Sequence, residues 1–454
     1  LKKQLIIIGL IILSVFVYAL PEIKITENAS KITNVELKLY NFNMDEFGHI
    51  KNYSIVESRT KKVVELFEYA NDSFDLINPE TKMEILPVRS EYNISEDKKY
   101  VEFTFFFKNG GYKKYKFYND TYFHFDIEFD NVKGLVKIPT ISYADKIRTS
   151  KNQLVSYLPK PYSAKVSLKS VLVFSTNKKI EDGLLYNVSG NSISKVYMGP
   201  MKLTFIKSVF DDETNKSIKA LLQDVGALNW SSNIYYFFVD FLYMLKQWTG
   251  NFGWAIIIFT LIIRVILYPL YHKQMKSMIM MKQLQPEIEK LKKKYSNPQK
   301  QQEAMMNLYK EKGYNPASGC LPLLVQMPVF FLLYSVIYYF GESFAYNPKF
   351  LFWSDLSQGG FSQNIILVLV TSLAYIVTGL WSANDAKMAW QQIIMSVVFQ
   401  FMFIGFPTGL FIYYTTTALI QVVLTYITHK RYGIKGITLR ELFGLGPKPI
   451  KRKA

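Results

Sequence analysis

The chain has 454 residues, a single cysteine and a formal net charge of +18. Cys320 alone excludes an intrachain disulfide, and His49, His124, His272 and His429 are scattered without the spacing of a zinc site. The mean hydropathy of +0.06 averages two unlike halves, because residues 21 to about 230 are polar and strand-like whereas 250–430 are mostly apolar. The positive charge alone fits a nucleic-acid binder, but a membrane protein with a basic cytoplasmic face accounts for the hydropathy as well.

The first predicted element is an apolar run, Leu5–Leu20, behind Lys2 and Lys3. Its end, Val17-Tyr18-Ala19-Leu20-Pro21, is a poor match to a small-residue cleavage site, so 1–20 reads as an uncleaved transmembrane anchor, with a cleaved signal sequence as the alternative. Residues 21–230 read as a β-sandwich domain. Phe123 to Asp130 alternates apolar and polar, and Tyr100–Phe107 and Tyr112–Tyr118 flank the turn Asn109-Gly110-Gly111. His124, Asp126 and Glu128 share a strand face, which reads as a solvated sheet surface rather than a catalytic cluster. Residues 231–249 place Ile234, Phe237, Phe238, Phe241, Leu245 and Trp248 on one helical side. That pattern predicts a helix lying in the membrane interface, with packing on the outer domain as the alternative.

Five further spans follow at 252–271, 320–340, 363–380, 391–405 and 409–429, giving six with the anchor. The fifth is shorter than the roughly 20 residues that cross a hydrocarbon core, which implies local thinning or a tilted neighbour. Phe406-Pro407-Thr408-Gly409 predicts the turn between the last two. Between the second and third spans, 272–313 reads as a lysine-rich helical hairpin, broken at Ser296-Asn297-Pro298. Met275, Met278, Met280, Met281, Met305 and Met306 make either an adaptable binding surface or a packed seam. The tail 431–454 is basic. The positive-inside rule puts hairpin, tail and both termini in the cytoplasm and the domain at 21–230 outside.

One charge interrupts the apolar core at 250–430. Arg264 lies about 18 Å along the second span from Phe252. At that depth a charge costs at least ~2.5 kcal/mol, so it needs water or a partner. The second to sixth spans contain no Asp or Glu. Two readings stand: an arginine in a wet cavity facing an anionic group on another molecule, or a structural arginine bonded to backbone carbonyls. Polar stripes at helical spacing favour the cavity: Thr260, Arg264 and Tyr268; Gln326; Thr371, Tyr375 and Thr378; Gln392, Ser396 and Gln400; and Tyr414, Thr417, Gln421, Thr425 and Thr428. Each stripe alone also fits interhelical bonding.

Four motifs then carry a resemblance. They are Thr260-Leu-Ile-Ile-Arg-Val-Ile-Leu-Tyr-Pro-Leu270, Leu284-Gln-Pro-Glu-Ile288, Asn315-Pro-Ala-Ser-Gly-Cys-Leu-Pro-Leu-Leu-Val-Gln-Met-Pro-Val-Phe330, and Phe406-Pro-Thr-Gly-Leu-Phe-Ile-Tyr-Tyr414. Over roughly 230–430 the chain resembles the YidC membrane protein insertases, relatives of the Oxa and Albino proteins. The outer domain is similar by position and strand character. The resemblance implies a multidomain membrane protein of the bacterial inner membrane: an N-terminal anchor, a periplasmic β-sandwich, a five-helix insertase core and a cytoplasmic hairpin. It implies a non-enzymatic insertase and chaperone without cofactor or metal, in which a nascent segment enters a hydrophilic groove. Arg264 would attract acidic residues of the client's short outer tail, and the segment would slide along the third and sixth spans into lipid.

Thr260 and Tyr414 would line that groove, and Gln326, Met327, Pro328, Phe330 and Tyr334 would face the client; the stripes add Tyr268, Gln400, Thr417 and Gln421. Implied partners are nascent membrane proteins, the Sec translocon, the ribosome through the basic hairpin and tail, and lipids, with the protein working as a monomer. A solute transporter or channel using Arg264 as an anion site is the alternative, yet the chain shows no inverted repeats or paired broken helices. An intramembrane enzyme would need a nucleophile with a base, and Cys320 has no histidine in its helix.

Overall fold

The computed structural model describes residues 23–28, 31–56, 63–68, 74–141, 144–159, 169–181, 184–228, 230–313, 321–344, 349–383, 386–433 and 436–445. The anchor at 5–20, the motif stretch 315–320 with Cys320, and the tail beyond 445 lie outside these. Two compact units make up the chain: Leu1–Asp240 with Gly341–Pro348, and Phe241–Phe340 with Lys349–Ala454.

The first unit is built on two antiparallel sheets. One runs β1 (Lys24–Glu27), β2 (Thr33–Glu36), β3 (Tyr40–Met44), β4 (Ile50–Val56), β5 (Val63–Glu68) in simple order. The other has the order β11 (Lys146–Ser150), β12 (Gln153–Leu158), β13 (Ser170–Thr176), β15 (Leu185–Pro200), β10 (His124–Lys137), β9 (Tyr112–Tyr118), β8 (Tyr100–Phe106), β7 (Arg89–Ile94). Short strands β6 (Leu76–Ile77) and β14 (Ile180–Glu181) join it at β10 and β15. The hairpin expected around Asn109-Gly110-Gly111 is β8–β9, with Phe106 opposite Tyr112. Alternation turns Val101, Phe103, Phe105, Tyr115, Phe117, Phe125, Ile127 and Phe129 inward. Across the sheets Phe42 stacks on Phe117 at 4.0 Å between ring centroids, and Tyr53 meets Phe125 at 6.4 Å.

The face bearing His124, Asp126 and Glu128, expected to be solvated, is half-buried, and each group has its own neighbour. His124 Nε2 lies 2.8 Å from Asp120, the Tyr118 hydroxyl donates to Asp126 at 2.8 Å, and Lys114 pairs with Glu128 at 2.9 Å. Two helices were not foreseen in this domain: α1 (Leu203–Val209) and α2 (Asp212–Asp224). Asp211 caps α2 by accepting from Thr214 N–H, and Asp212 and Glu213 suit the positive end of the helix dipole. Ile218, Leu221 and Leu222 are its buried side. Ser217 donates to Gln153 on β12, whose residues are buried on both faces, so β12 lacks the alternation that marks a half-exposed strand.

Helix α3 (Trp230–Thr249) spans the division between the units. Its apolar residues fall on two sides rather than one. Val239, Leu242 and Leu245 are buried, whereas Ile234, Phe237, Met244 and Trp248 are exposed, the last by 77%. Leu245 therefore leaves the predicted exposed stripe and Met244 joins the outward side. Asp240 fastens the helix to α1 by accepting from Thr204 at 2.7 Å and from Lys207 at 2.9 Å.

The second unit is helical: α4 (Phe252–Ile266), α5 (Tyr268–Lys294), α6 (Pro298–Glu311), α7 (Leu321–Tyr339), α8 (Phe361–Ser382), α9 (Ala386–Met402), α10 (Thr408–Tyr432) and a final turn α11 (Leu439–Leu442). By length and composition α8 and α10, with 22 and 25 residues, suffice to cross a membrane. Phe252–Ile266 and Gln326–Tyr339 are shorter apolar stretches. The span expected at 252–271 is cut at Leu267 because Pro269 has no N–H and would clash in a continuous helix; α5 restarts there, with Leu270 and Tyr271 N–H donating to Leu267.

The hairpin α5–α6 closes on a seam. Leu284, Ile288 and Leu308 are buried, and Met280, Met281 and Met305 pack against them. Those methionines serve the seam, Met306 is exposed, and the side chains of Met275 and Met278 lie outside the described set. Lys312 pairs with Glu287 at 3.4 Å across the hairpin. Helices α8 and α10 share a buried hydrogen bond between the Thr371 and Thr415 hydroxyls at 2.7 Å. The start of the basic tail is folded: Leu442 packs among Ala383, Ala389 and Ile393, and the Trp390 indole N–H donates to Leu442 O at 3.1 Å. A capping box between Thr438 and Glu441 starts that turn.

In the first unit an ionic clamp joins the sheets. Gly48, at φ +84°, turns the chain between β3 and β4, and its carbonyl accepts from Tyr115 at 3.2 Å and from Lys113 at 3.4 Å, both on β9. A side chain at 48 would strain the backbone and press on the Phe105 ring. Next to it His49 lies 2.8 Å from Asp45 through Nδ1 and 2.5 Å from Glu84 through Nε2, with Asp75 at 3.6 Å. Sequence spacing hid this cluster, in which His49, Asp75 and Glu84 bring ligand-type atoms within 4.8 Å of one another. Hydrogen bonding to Asp45 raises the His49 pKa above 6.5, against the opposing effect of burial. Although burial disfavours its charge, Asp45 is held well below 3.8 by hydrogen bonds from His49. Burial lowers Lys113 to about 8.

The signs give a window. The raised His49 contributes stability that is complete below pH 6.5 and lost as pH rises through its native value, whereas the depressed Asp45 contributes stability lost in acid below 3.8. Hydrogen exchange across residues 40–56, corrected for intrinsic rate, is expected to be slowest between those values and to speed up towards pH 8. His49→Gln should flatten the alkaline limb; an unchanged limb would show that His49 is not its cause.

Candidate functional site

Arg264 sits on the last turn of α4, half-buried, and reaches α10. One guanidinium nitrogen donates to Gln421 Oε1 at 3.4 Å and another to the Thr417 carbonyl at 3.3 Å. The guanidinium carbon lies 4.4 Å from the centroid of the buried Tyr271 ring. Among the described residues no carboxylate pairs with it. Both hydrogen bonds are at the long end of the normal range, and a guanidinium has five N–H donors. The arrangement combines the two sequence readings: one backbone carbonyl is used, yet the charge is met by neutral dipoles and a ring face. A carboxylate makes shorter, stronger bonds to a guanidinium than an amide oxygen does.

Tyr271 was missed because the stripe Thr260, Arg264, Tyr268 assumed one continuous helix. The restart at Leu267 leaves Tyr268 half-exposed, next to His272, while Tyr271 takes the place over the charge. Its signal was present in the sequence, since position 271 is seven residues, about two turns, beyond Arg264. Thr260 is fully buried and its hydroxyl donates back to Ile256 O at 2.6 Å, so it packs rather than lining open space.

On α7, Gln326 donates to the Tyr413 hydroxyl at 2.9 Å, which makes Tyr413 a second member that the sequence pattern overlooked in favour of Tyr414. Met327 and Pro328 are exposed, and Phe331 and Tyr338 continue that open face. Phe330 is buried instead. Its ring centroid lies 5.8 Å from Tyr414, 5.9 Å from Phe406 and 6.0 Å from Phe403, and Tyr334 lies 5.4 Å from Phe406. Phe330, Tyr334 and Tyr414 thus form an aromatic seam between α7 and α10.

The remaining stripes divide. Gln421 and Thr417 meet Arg264, and Gln421 also donates to Thr425 at 3.3 Å. Gln400 is buried, whereas Gln392 and Ser396 are half-buried. Thr371 faces Thr415 on α10, and the hydroxyls of Thr378 and Thr428 bond to Ala374 O and Leu424 O four residues back. The polar surface that stays with the arginine is therefore smaller than five full stripes: Gln326, Tyr413, Thr417 and Gln421, with Tyr271 beneath the charge.

Comparison with known proteins bears on this arrangement. The family model described as 60Kd inner membrane protein matches residues 244–435, the stretch holding every residue above. The membrane protein insertase YidC of Thermotoga maritima is 41% identical over 98% of this chain and 99% of its own length. That of Campylobacter jejuni is 37% identical over 47% of this chain and 41% of its own length. A crystal structure of an active YidC insertase with its first transmembrane domain resolved superimposes with a TM-score of 0.71 at 38% identity, covering 94% of this chain and 99% of that one. The crystal structure of Thermotoga maritima YidC gives 0.63 at 28% identity, covering 89% and 99%. These relatives lend no support to the solute-transporter alternative. With 41% identity running from one end of the chain to the other, the chain belongs to the YidC family of membrane protein insertases.

Proposed function

We propose that the protein moves nascent hydrophobic segments from the cytoplasm into the bilayer by capturing an acidic group of the client at Arg264 and releasing the apolar segment along α7 and α10. One observation carries this: among the described residues the Arg264 guanidinium is met by Gln421, the Thr417 carbonyl and the Tyr271 ring, all neutral. An incoming carboxylate replaces two long hydrogen bonds with charge-assisted ones and cancels a charge that is costly at this depth. Gln326, Tyr413, Thr417 and Gln421 supply dipoles for the client's polar flank. The exposed face of Met327, Pro328, Phe331 and Tyr338 meets its apolar side.

Burial of that side in lipid, at about 25 cal/mol per Å² of apolar area, favours release. A membrane potential adds about 2.3 kcal/mol per charge per 100 mV. No covalent step is required. In this scheme the chain crosses the inner membrane six times with both termini in the cytoplasm, the sheet-rich unit is periplasmic, and the outward side of α3, with Ile234, Phe237 and Trp248, rests in the interface. Nascent membrane proteins are the clients. The basic hairpin α5–α6 and the tail face the ribosome, the Sec translocon is a companion for some clients, and one copy suffices.

Arg264→Ala should lower insertion of single-span clients with acidic outer tails by roughly 10–100-fold, the equivalent of one charge-assisted contact of about 1.5–3 kcal/mol. Clients with neutral tails should insert as before, as read by protease protection in proteoliposomes. Equal losses for both classes would remove anion capture from the mechanism. A photo-crosslinker at exposed Met327 should trap nascent chains more strongly than one at buried Phe330; the reverse ranking would place the client path on another face of α7.

A further inference from the structure

The turn between α9 and α10 is held by one side chain. Asn364, on the first turn of α8 and completely buried, donates through Nδ2 to two carbonyls of that turn, Ile404 O and Phe406 O, both at 2.8 Å. Its Oδ1 accepts from the buried Thr408 hydroxyl at 2.8 Å, so the amide is bonded at both ends. The segment before α8 reinforces it: Thr408 N–H donates to Gln358 O at 2.7 Å, Gly409 N–H to Leu356 O at 2.9 Å, and Gly360 N–H to Ile404 O at 3.0 Å. Gly359 lies so close that a Cβ there would stand 2.3 Å from the carbonyls of Gly405 and Phe406.

The residue fixed by this clasp is Phe406. Its ring stacks on Phe330 at 5.9 Å, faces Tyr334 at 5.4 Å and Phe403 at 4.9 Å, and so closes the aromatic seam between α7 and the start of α10. The chemistry is asymmetric. A buried amide with three partners and an adjoining set of backbone hydrogen bonds leaves polar groups unmatched when broken, whereas apolar ring contacts can be exchanged for those of an entering apolar segment. The rings are therefore the exchangeable part of this arrangement.

We infer that Asn364 is a positioning residue of the client exit path: it holds Phe406 against Phe330 and Tyr334 as a latch on the α7–α10 seam, which the client's apolar segment must part to reach lipid. This rests on the route proposed above. A segment that has engaged Arg264 lies beside Thr417 and Gln421, on the same helix that Phe406 precedes. With the latch shut, the seam above Tyr414 is filled by side chains. With it parted, the segment replaces ring contacts by its own apolar contacts, while the clasp keeps the turn itself in place.

The test uses the full chain with Cys320→Ser, reconstituted in proteoliposomes. Tyr334→Cys and Phe406→Cys are bridged by a short, cleavable bifunctional thiol reagent, and a photo-crosslinker replaces Leu424, three residues beyond Gln421 on α10. The bridged protein should still crosslink an arrested single-span client at 424, while the integrated fraction falls several-fold and returns when the bridge is cleaved. Equal integration before and after cleavage overturns the latch alone. Loss of client contact at 424 in both states overturns the groove route, and the latch with it. In a second arm Asn364→Ala is compared with Thr408→Val, which deletes only the hydroxyl. Bridging between 334 and 406 should drop several-fold in Asn364→Ala and less in Thr408→Val, while bridging of a Thr371→Cys and Thr415→Cys pair stays constant. A parallel drop at both pairs, or none at 334 and 406, overturns the assignment of Asn364.

Discussion

The guanidinium of Arg264 carries a full charge into an apolar helix, and the groups that meet it are an amide oxygen, a peptide carbonyl and an aromatic face. Much of the second unit is arranged around that fact. Had the bundle supplied a carboxylate, the two charges would form a desolvated pair whose breaking leaves one of them buried and alone. Here dipoles and a ring face answer the charge instead. The phase of α10 is set accordingly, with Thr417 and Gln421 four residues apart on the side towards α4, and Thr415 turned to α8.

The first unit follows the opposite rule. Several of its charged side chains meet partners of opposite sign close by: Lys114 with Glu128, Lys207 with Asp240, and His49 with Asp45 and Glu84. These pairs fix the sheets and the attachment of α3. The contrast explains why net charge alone says little about where function lies; what counts is whether a charge is answered by another charge.

Much of this was legible in the sequence because it rests on periodicity. Strands β8 to β10 alternate cleanly, and the break at Ser296-Asn297-Pro298 and the turn at Phe406-Pro407 are local signals. Where the reading failed, a local pattern had a non-local cause. Strand β12 is buried on both faces, one of them meeting α2 through Ser217 and Gln153, so it lacks the alternation of a half-exposed strand. Pro269 sits one residue past an apolar run and was absorbed into it, which misplaced Tyr268 and concealed Tyr271. The polar stripes were overcounted because a threonine hydroxyl bonded to its own helix, as in Thr260, Thr378 and Thr428, looks in sequence like one facing water. The His49 cluster draws on residues 45 to 113, beyond the reach of any spacing rule.

The docking of Leu442 onto the end of α8 and α9 joins segments that are made far apart in time. The indole of Trp390 finds its acceptor 52 residues downstream. The same leucine completes the buried cluster of Ala383, Ala389 and Ile393. Helix α10 is complete on the ribosome before the pair it packs beside is sealed. The helix that carries the partners of Arg264 therefore precedes, in the order of translation, the clip that closes onto α8 and α9.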